Sequence, residues 1–165
     1  MRIAVDINTV NGAVTENKYE LLEWLFAQNC PCDASAFLHA RNIKMLEFLR
    51  NHNIPLNTLR FSDTLKSFNK NMDLLEWFAN NKCELSRESI DTAIELENFE
   101  LCEWLLKKGV QLYSGNWKMA MLRKNFHILE WLKLNRCPYD SSVTDDAFMH
   151  KDPEMIKWFI KNEFF

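Results

Sequence analysis

The sequence predicts an all-α solenoid of about six helix–turn–helix repeats, with residues 1–165 forming a single repeat domain. Three observations predict it. The phrase Tyr19-Glu20-Leu21-Leu22-Glu23-Trp24-Leu25 recurs around Phe48, Trp77, Trp104, Trp131 and Trp158, each preceded by Glu or Lys and followed by Leu or Phe. Successive anchors lie 24, 29, 27, 27 and 27 residues apart, and a fixed period of ~20–50 residues marks a chain of stacked supersecondary units. Within each phrase the apolar residues fall at helical spacing rather than alternating.

With each anchor aromatic set as zero, apolar residues occupy −5, −3, −2, 0 and +1, a broad stripe on a helix of roughly three turns. Positions −4 and −1 stay polar, and the carboxylates at −1 (Glu23, Glu47, Glu76, Glu103, Glu130) fit an exposed position that favours a good helix former. This is the second helix of each repeat, and the spacing predicts that its aromatic anchors are core. It closes on Asn29, Asn53, Gly109 or another polar residue at +5, where Asn and Gly tolerate the left-handed conformation. Then come Cys30-Pro31-Cys32-Asp33, Ile54-Pro55-Leu56-Asn57 and Cys137-Pro138-Tyr139-Asp140. Pro stops the helix, apolar side chains tuck under it, and Asp or Asn can cap the next one. A first helix carries the pairs Ala13-Val14, Phe37-Leu38, Ala93-Ile94, Ala120-Met121 and Ala147-Phe148. In the third repeat Lys66-Ser67 breaks this rule, and Leu65 with Phe68 implies a rotated helix.

Composition supports an ordered helical chain: 47% hydrophobic residues with only three Gly and four Pro. A net charge of −3 gives no reason to expect nucleic acid or an anionic membrane. No apolar run approaches the ~20 residues of a membrane span, and residues 1–10 lack the apolar stretch of a signal peptide. Cys30, Cys83 and Cys137 share a position filled elsewhere by Ile54, Val110 and Phe164, so they are expected as reduced thiols in cytoplasm or nucleus.

The repeat resembles the ankyrin repeat, aligned without gaps from −16 to +9. The family's Leu-His-x-Ala-Ala falls on Val10-Asn11-Gly12-Ala13-Val14, and its Gly-His-Leu-Glu-Val-Val on Asn17-Lys18-Tyr19-Glu20-Leu21-Leu22. Its Gly-Ala-Asp-Val-Asn falls on Asn29-Cys30-Pro31-Cys32-Asp33. The period departs from the family's ~33 residues: the β-hairpin finger is truncated, and the Thr-Pro opening of the first helix is absent. Shortened repeats with a Trp-Leu anchor are similar to divergent ankyrin arrays of giant DNA viruses. The resemblance implies a non-catalytic protein–protein interaction scaffold or adaptor that binds a host protein in the host cytoplasm. With the fingers shortened, it leaves the first-helix surface as the place of binding.

Catalytic and metal motifs are missing. Cys30-Pro31-Cys32 has no second Cys or His pair to complete a zinc site, and His39, His52, His127 and His150 fall at different phases of the repeat. No phosphate loop, Gly-x-Ser-x-Gly elbow or His-Glu-x-x-His helix is present. No enzyme, metal or cofactor is expected.

Charge gives two candidate surfaces. Residues 84–103 hold seven carboxylates against Arg87, and residues 104–136 reverse the sign against Glu130 alone. Either neighbouring repeats pair these charges, or Glu88, Asp91, Glu95, Lys118, Arg123 and Lys124 form a bipolar docking surface. In the longer linker before the third repeat, Arg60 and Phe61 either plug an irregular junction or anchor a partner. The alternative function is a structural subunit, a homodimer through an uncapped C-terminal face of Trp158, Phe159, Phe164 and Phe165.

Overall fold

A computed structural model describes residues 6–149, 151–162 and 164. Every regular element among them is helical: α1 (Ile7–Thr15), α2 (Tyr19–Ala27), a 3-10 helix (Ala34–His39), α3 (Ile43–Asn51), α4 (Phe61–Phe68), α5 (Met72–Asn80), α6 (Arg87–Glu95), α7 (Phe99–Lys107), α8 (Gly115–Leu122), α9 (Phe126–Leu134), α10 (Ser141–Met149) and α11 (Pro153–Lys161). The chain divides into two compact bodies, Met1–Glu84 and Leu85–Phe165, each holding three helix pairs. No helix among the described residues is long and apolar enough to cross a membrane.

Each predicted repeat is a helix pair, but the stripe that builds the core is narrower than the sequence suggests. At +1 every residue (Leu25, Leu49, Phe78, Leu105, Leu132, Phe159) is fully buried. Leu22, Leu46, Leu75, Cys102 and Leu129 at −2 are buried with them, as are Met45, Leu74, Leu101, Ile128 and Met155 at −3. Each such aliphatic or aromatic side chain contributes roughly 1.5–3 kcal/mol. The anchor aromatics correct the expectation of core burial. Trp77 and Trp131 are 7% and 8% exposed, but Trp24 is 53% exposed, and Phe48, Trp104 and Trp158 are half-buried. Geometry explains this. At about 100° per residue, position 0 stands a quarter turn away from the centre of the −3, −2, +1 stripe and lies on its flank.

First helices pack through their small residues. Ala13, Ala93, Ala120 and Ala147 are buried, and α8 lies between α6 and α10 while α1 contacts both α2 and the 3-10 helix. Of the expected caps, Asp33 and Asp140 form, whereas Asn57 does not: α4 begins after Arg60 with no side-chain cap. Asp6 accepts from the Thr9 amide at 3.0 Å, Asp33 from Ser35 at 2.8 Å and Asp140 from Ser142 at 3.0 Å. A second series of caps escaped the sequence reading. Asn42, Asn71, Asn98 and Asn125, all at −6, accept from the amide three residues on at 2.8–3.2 Å. Asp152 fills the same position and accepts from both Glu154 and Met155. These side chains satisfy amides that the first turn of a helix leaves without an internal acceptor.

The second and third repeats depart from the pattern. Only 24 residues separate Trp24 from Phe48, and the first helix of the second repeat shrinks to six residues of 3-10 helix with Ala34, Ala36 and Phe37 inside. In the third repeat α4 does turn a rotated face inward, burying Leu65 and Phe68. Phe61, expected in a linker, instead begins α4 and is 1% exposed. It is part of the core and no exposed anchor.

Left-handed residues mark both turns of the regular repeats. Asn29, Asn53, Lys82, Gly109 and Arg136 have positive φ at +5, and Asn17, Glu97, Lys124 and Lys151 have it at −7. At Gly109 (φ 90°) an added Cβ would meet nothing within 4 Å, so backbone strain alone opposes it. Gly109→Ala is expected to lower unfolding free energy by about 1–2 kcal/mol in urea denaturation. Arg136→Gly, at φ 53°, relieves comparable strain but frees the unfolded chain, so its gain should stay below about 1 kcal/mol.

Candidate interaction surface

The first-helix charges do not form one free surface. Asp91 on α6 accepts from the Tyr113 hydroxyl at 2.6 Å and the Asn116 amide at 2.8 Å, while Asn116 accepts from the Tyr113 backbone amide at 2.8 Å. Asn116 is completely buried. This network ties the fourth repeat to the fifth, and the Arg87 guanidinium lies 5.5 Å over the Tyr113 ring. Burial raises the Asp91 carboxyl above its ordinary value, against the two hydrogen bonds that lower it. Burial pushes the Tyr113 phenol to about 12, with its bond to Asp91 adding to the rise. Gly115 is required here because a Cβ would run into the Tyr113 ring. Asp91 is therefore a packing residue.

Two of the basic residues are tied forward along the chain. Lys118 lies 3.5 Å from Asp146, and Lys124 lies 2.7 Å from Asp152. The Lys124 ammonium is held above its usual range by its hydrogen bond to Asp152, whose carboxyl that bond lowers. Glu88 and Arg123 are exposed and Glu95 is half-buried. Arg60, which immediately precedes α4, reaches Asp63 in that helix's first turn at 3.3 Å. Of the expected docking residues, Glu88, Lys118, Arg123 and Lys124 are exposed, with Lys118 and Lys124 paired to Asp146 and Asp152.

A different set of side chains links successive second helices. The Trp77 indole N–H donates to Glu47 at 2.5 Å, and that of Trp131 donates to Glu103 at 2.7 Å. Beside them Arg50 donates to Asn81, and Lys133 donates to Asn162 at 2.7 Å. Asn81 and Asn162 themselves donate back to the carbonyls of Trp77 and Trp158 at 2.8 Å. The carboxylates at −1 thus do more than occupy an exposed helical face. At the first junction, where Phe48 carries no donor, His52 meets Glu23 at 3.2 Å. The signal was present in the sequence as Asn81, Asn135 and Asn162 at +4.

The C-terminal aromatics are also partly interior. Phe159 is fully buried, and Phe164 packs 4.9 Å from Trp117, 4.8 Å from Tyr139 and 5.0 Å from Phe159 between ring centroids. Phe165 lies outside the described residues, as does His150. Among the described residues, Phe148, Met149 and Ile160 are the large apolar side chains that the sixth repeat exposes.

All five cysteines are free thiols. Cys30, Cys83 and Cys137 each reach the backbone carbonyl 24 residues earlier, at Asp6, Leu59 and Tyr113, with distances of 3.6, 3.4 and 3.3 Å. They are internal ties of their repeats. Burial raises every thiol: Cys32 and Cys83 to about 11, Cys102 and Cys137 to about 12. Among the described residues no group of three His, Cys, Asp or Glu could hold a metal ion. No family model, no curated protein and no solved structure matches the chain.

A thiol that ionises near 9 when unfolded and near 11 to 12 when folded favours the folded state fully below pH 9. That contribution is lost as pH rises from about 9 to about 12, because the unfolded chain releases these protons first. Alkylation at pH 8 should be on the order of 100-fold slower in the folded chain than in guanidinium. Comparable rates would contradict these environments.

Proposed function

We propose that the chain is a solenoid of ankyrin-like repeats that acts as a non-catalytic scaffold binding other proteins, viral in origin and directed at a host protein in the cytoplasm. One observation carries the reading: side chains that could serve chemistry are committed to structural ties within and between repeats. The raised Asp91 carboxyl is held by Tyr113 and Asn116. Glu47 and Glu103 accept indole protons, and Cys30, Cys83 and Cys137 reach carbonyls of their own repeats. A catalytic site requires such groups to converge on a reacting atom. Here they recur at fixed intervals and leave charged side chains such as Glu88, Lys118 and Arg123 outward.

The assembly reading gains no support from Phe159 and Phe164, which pack inward; a homodimer through this end would instead involve the exposed Phe148 and Ile160.

Affinity capture compares the wild-type chain with a Glu88→Lys/Lys118→Glu/Arg123→Glu variant whose circular dichroism is unchanged. The scaffold reading predicts proteins enriched from cell extract by the wild type and lost from the variant. No enrichment above an unrelated helical protein would overturn the scaffold. Equal enrichment on both would remove the first-helix surface from it.

A further inference from the structure

The two irregular repeats enclose a groove. It measures about 570 Å³ and lies between the end of the 3-10 helix (Leu38, His39), the turn through Ala40 and Arg41, and the α4–α5 turn through Asn69, Lys70 and Asn71. It accompanies a different conformation at position −7. Position −7 holds a left-handed residue in the first, fourth, fifth and sixth repeats, and the turn folds back to bond the first helix, as when Asn98 donates to Ala93 at 3.1 Å and Asn125 to Ala120 at 3.1 Å. In the second and third repeats position −7 is Arg41 and Lys70, and neither has positive φ. The chain after the 3-10 helix instead runs extended through Ala40 (φ −64°, ψ 138°).

The groove is polar and of one sign. His39, Arg41 and Lys70 line it without any carboxylate. Arg41 and Lys70 are exposed, and neither forms an ion pair among the described residues. The molecule itself shows what such a cation takes when one is supplied. In the fifth repeat, position −7 is Lys124, and the next repeat brings Asp152 at −6 to 2.7 Å from its ammonium. In the third repeat, position −6 is Asn71, whose carbonyl oxygen caps Leu74 of α5. The neutral amide leaves Arg41 without the carboxylate its counterpart has. Asp73, the nearest acidic residue in sequence, is on the exposed first turn of α5 and outside the lining.

We propose that this groove binds an acidic peptide segment of a partner protein, with a carboxylate beside Arg41 in the place that Asp152 takes beside Lys124, and Lys70 holding a second. The inference rests on the scaffold reading and gives it a specific partner chemistry. It also moves the contact from the first-helix surface to the edge formed by the turns between first and second helices. Arg41 supplies a planar fork that can grip a carboxylate through two parallel bonds, and Lys70 supplies a compact charge.

The test is an amide-shift titration of the full ¹⁵N-labelled chain with a short alternating Glu-Gly peptide, and separately with its Lys-Gly counterpart. The Glu-Gly peptide is expected to shift amides at residues 38–41 and 67–71, the Lys-Gly peptide to leave them in place. Arg41→Glu/Lys70→Glu should weaken binding by about tenfold or more, while Lys124→Glu, with the charge changed elsewhere, leaves it unaltered. Absence of shifts, shifts outside these turns, or equal loss in Lys124→Glu would overturn the proposal. So would inorganic phosphate that matches and displaces the peptide at equal ionic strength, which would reduce the groove to a general anion site. The two readings fail separately. A chain that captures proteins but ignores the acidic peptide leaves the scaffold standing, and one that binds the peptide but captures nothing removes the scaffold alone.

Discussion

The constraint on which the rest depends is the registry between one second helix and the next. The buried stripe at −3, −2 and +1 is apolar and non-directional, so it sets how closely helices pack but says little about their sliding or rotation. Direction comes from the flank. The Trp77 indole reaches Glu47, and the Trp131 indole reaches Glu103; Arg50 and Lys133 reach Asn81 and Asn162. A bulky ring with a single N–H suits such a place, because its body can lie against apolar neighbours while its donor meets a half-solvated carboxylate. On the first helices of the fourth and fifth repeats the same work falls to Asp91, Tyr113 and Asn116.

Irregularity is local and has a cause in chain length. Three residues fewer than the common 27 leave the second repeat with a six-residue 3-10 helix. The left-handed turn at −7 is absent at Arg41, and also at Lys70 in the third repeat, whose anchor lies 29 residues beyond the one before it. What remains is a groove with two unneutralised cations, at positions where Lys124 elsewhere meets Asp152. The third repeat answers with a rotated α4 that brings Phe61 inside.

Much of this was legible in the sequence, because periodicity is a property of the chain as well as of the fold. The spacing of the anchors, the apolar pairs of the first helices, the left-handed position at +5 and the capping Asp residues all follow from local chemistry. What was not legible depended on direction within the apolar stripe. Trp24 and Leu25 are adjacent and both hydrophobic, yet one is exposed and the other buried; a hydrophobicity pattern cannot rank two neighbours on a broad face. The acceptor role of Glu47 and Glu103 was hidden because their donors lie 30 and 28 residues away. Asp91 was read as a surface charge because its partners, Tyr113 and Asn116, come from the next repeat. The Asn caps at −6 were the omission that local reasoning could have avoided, since Asn before an apolar helix is itself a start signal.

The registry account is tested most directly by a double-mutant cycle on one flank pair, Glu103→Ala and Trp131→Phe, with unfolding free energies measured for both single variants and the double. Phe keeps most of the ring and removes the donor, so the cycle isolates the bond. The account predicts a coupling energy of about 0.5–1.5 kcal/mol, the net value of a typical hydrogen bond, because the exposure of Glu103 to water offsets the gain from its charge. Strict additivity would contradict it, leaving apolar packing as the only force that sets one repeat upon the next.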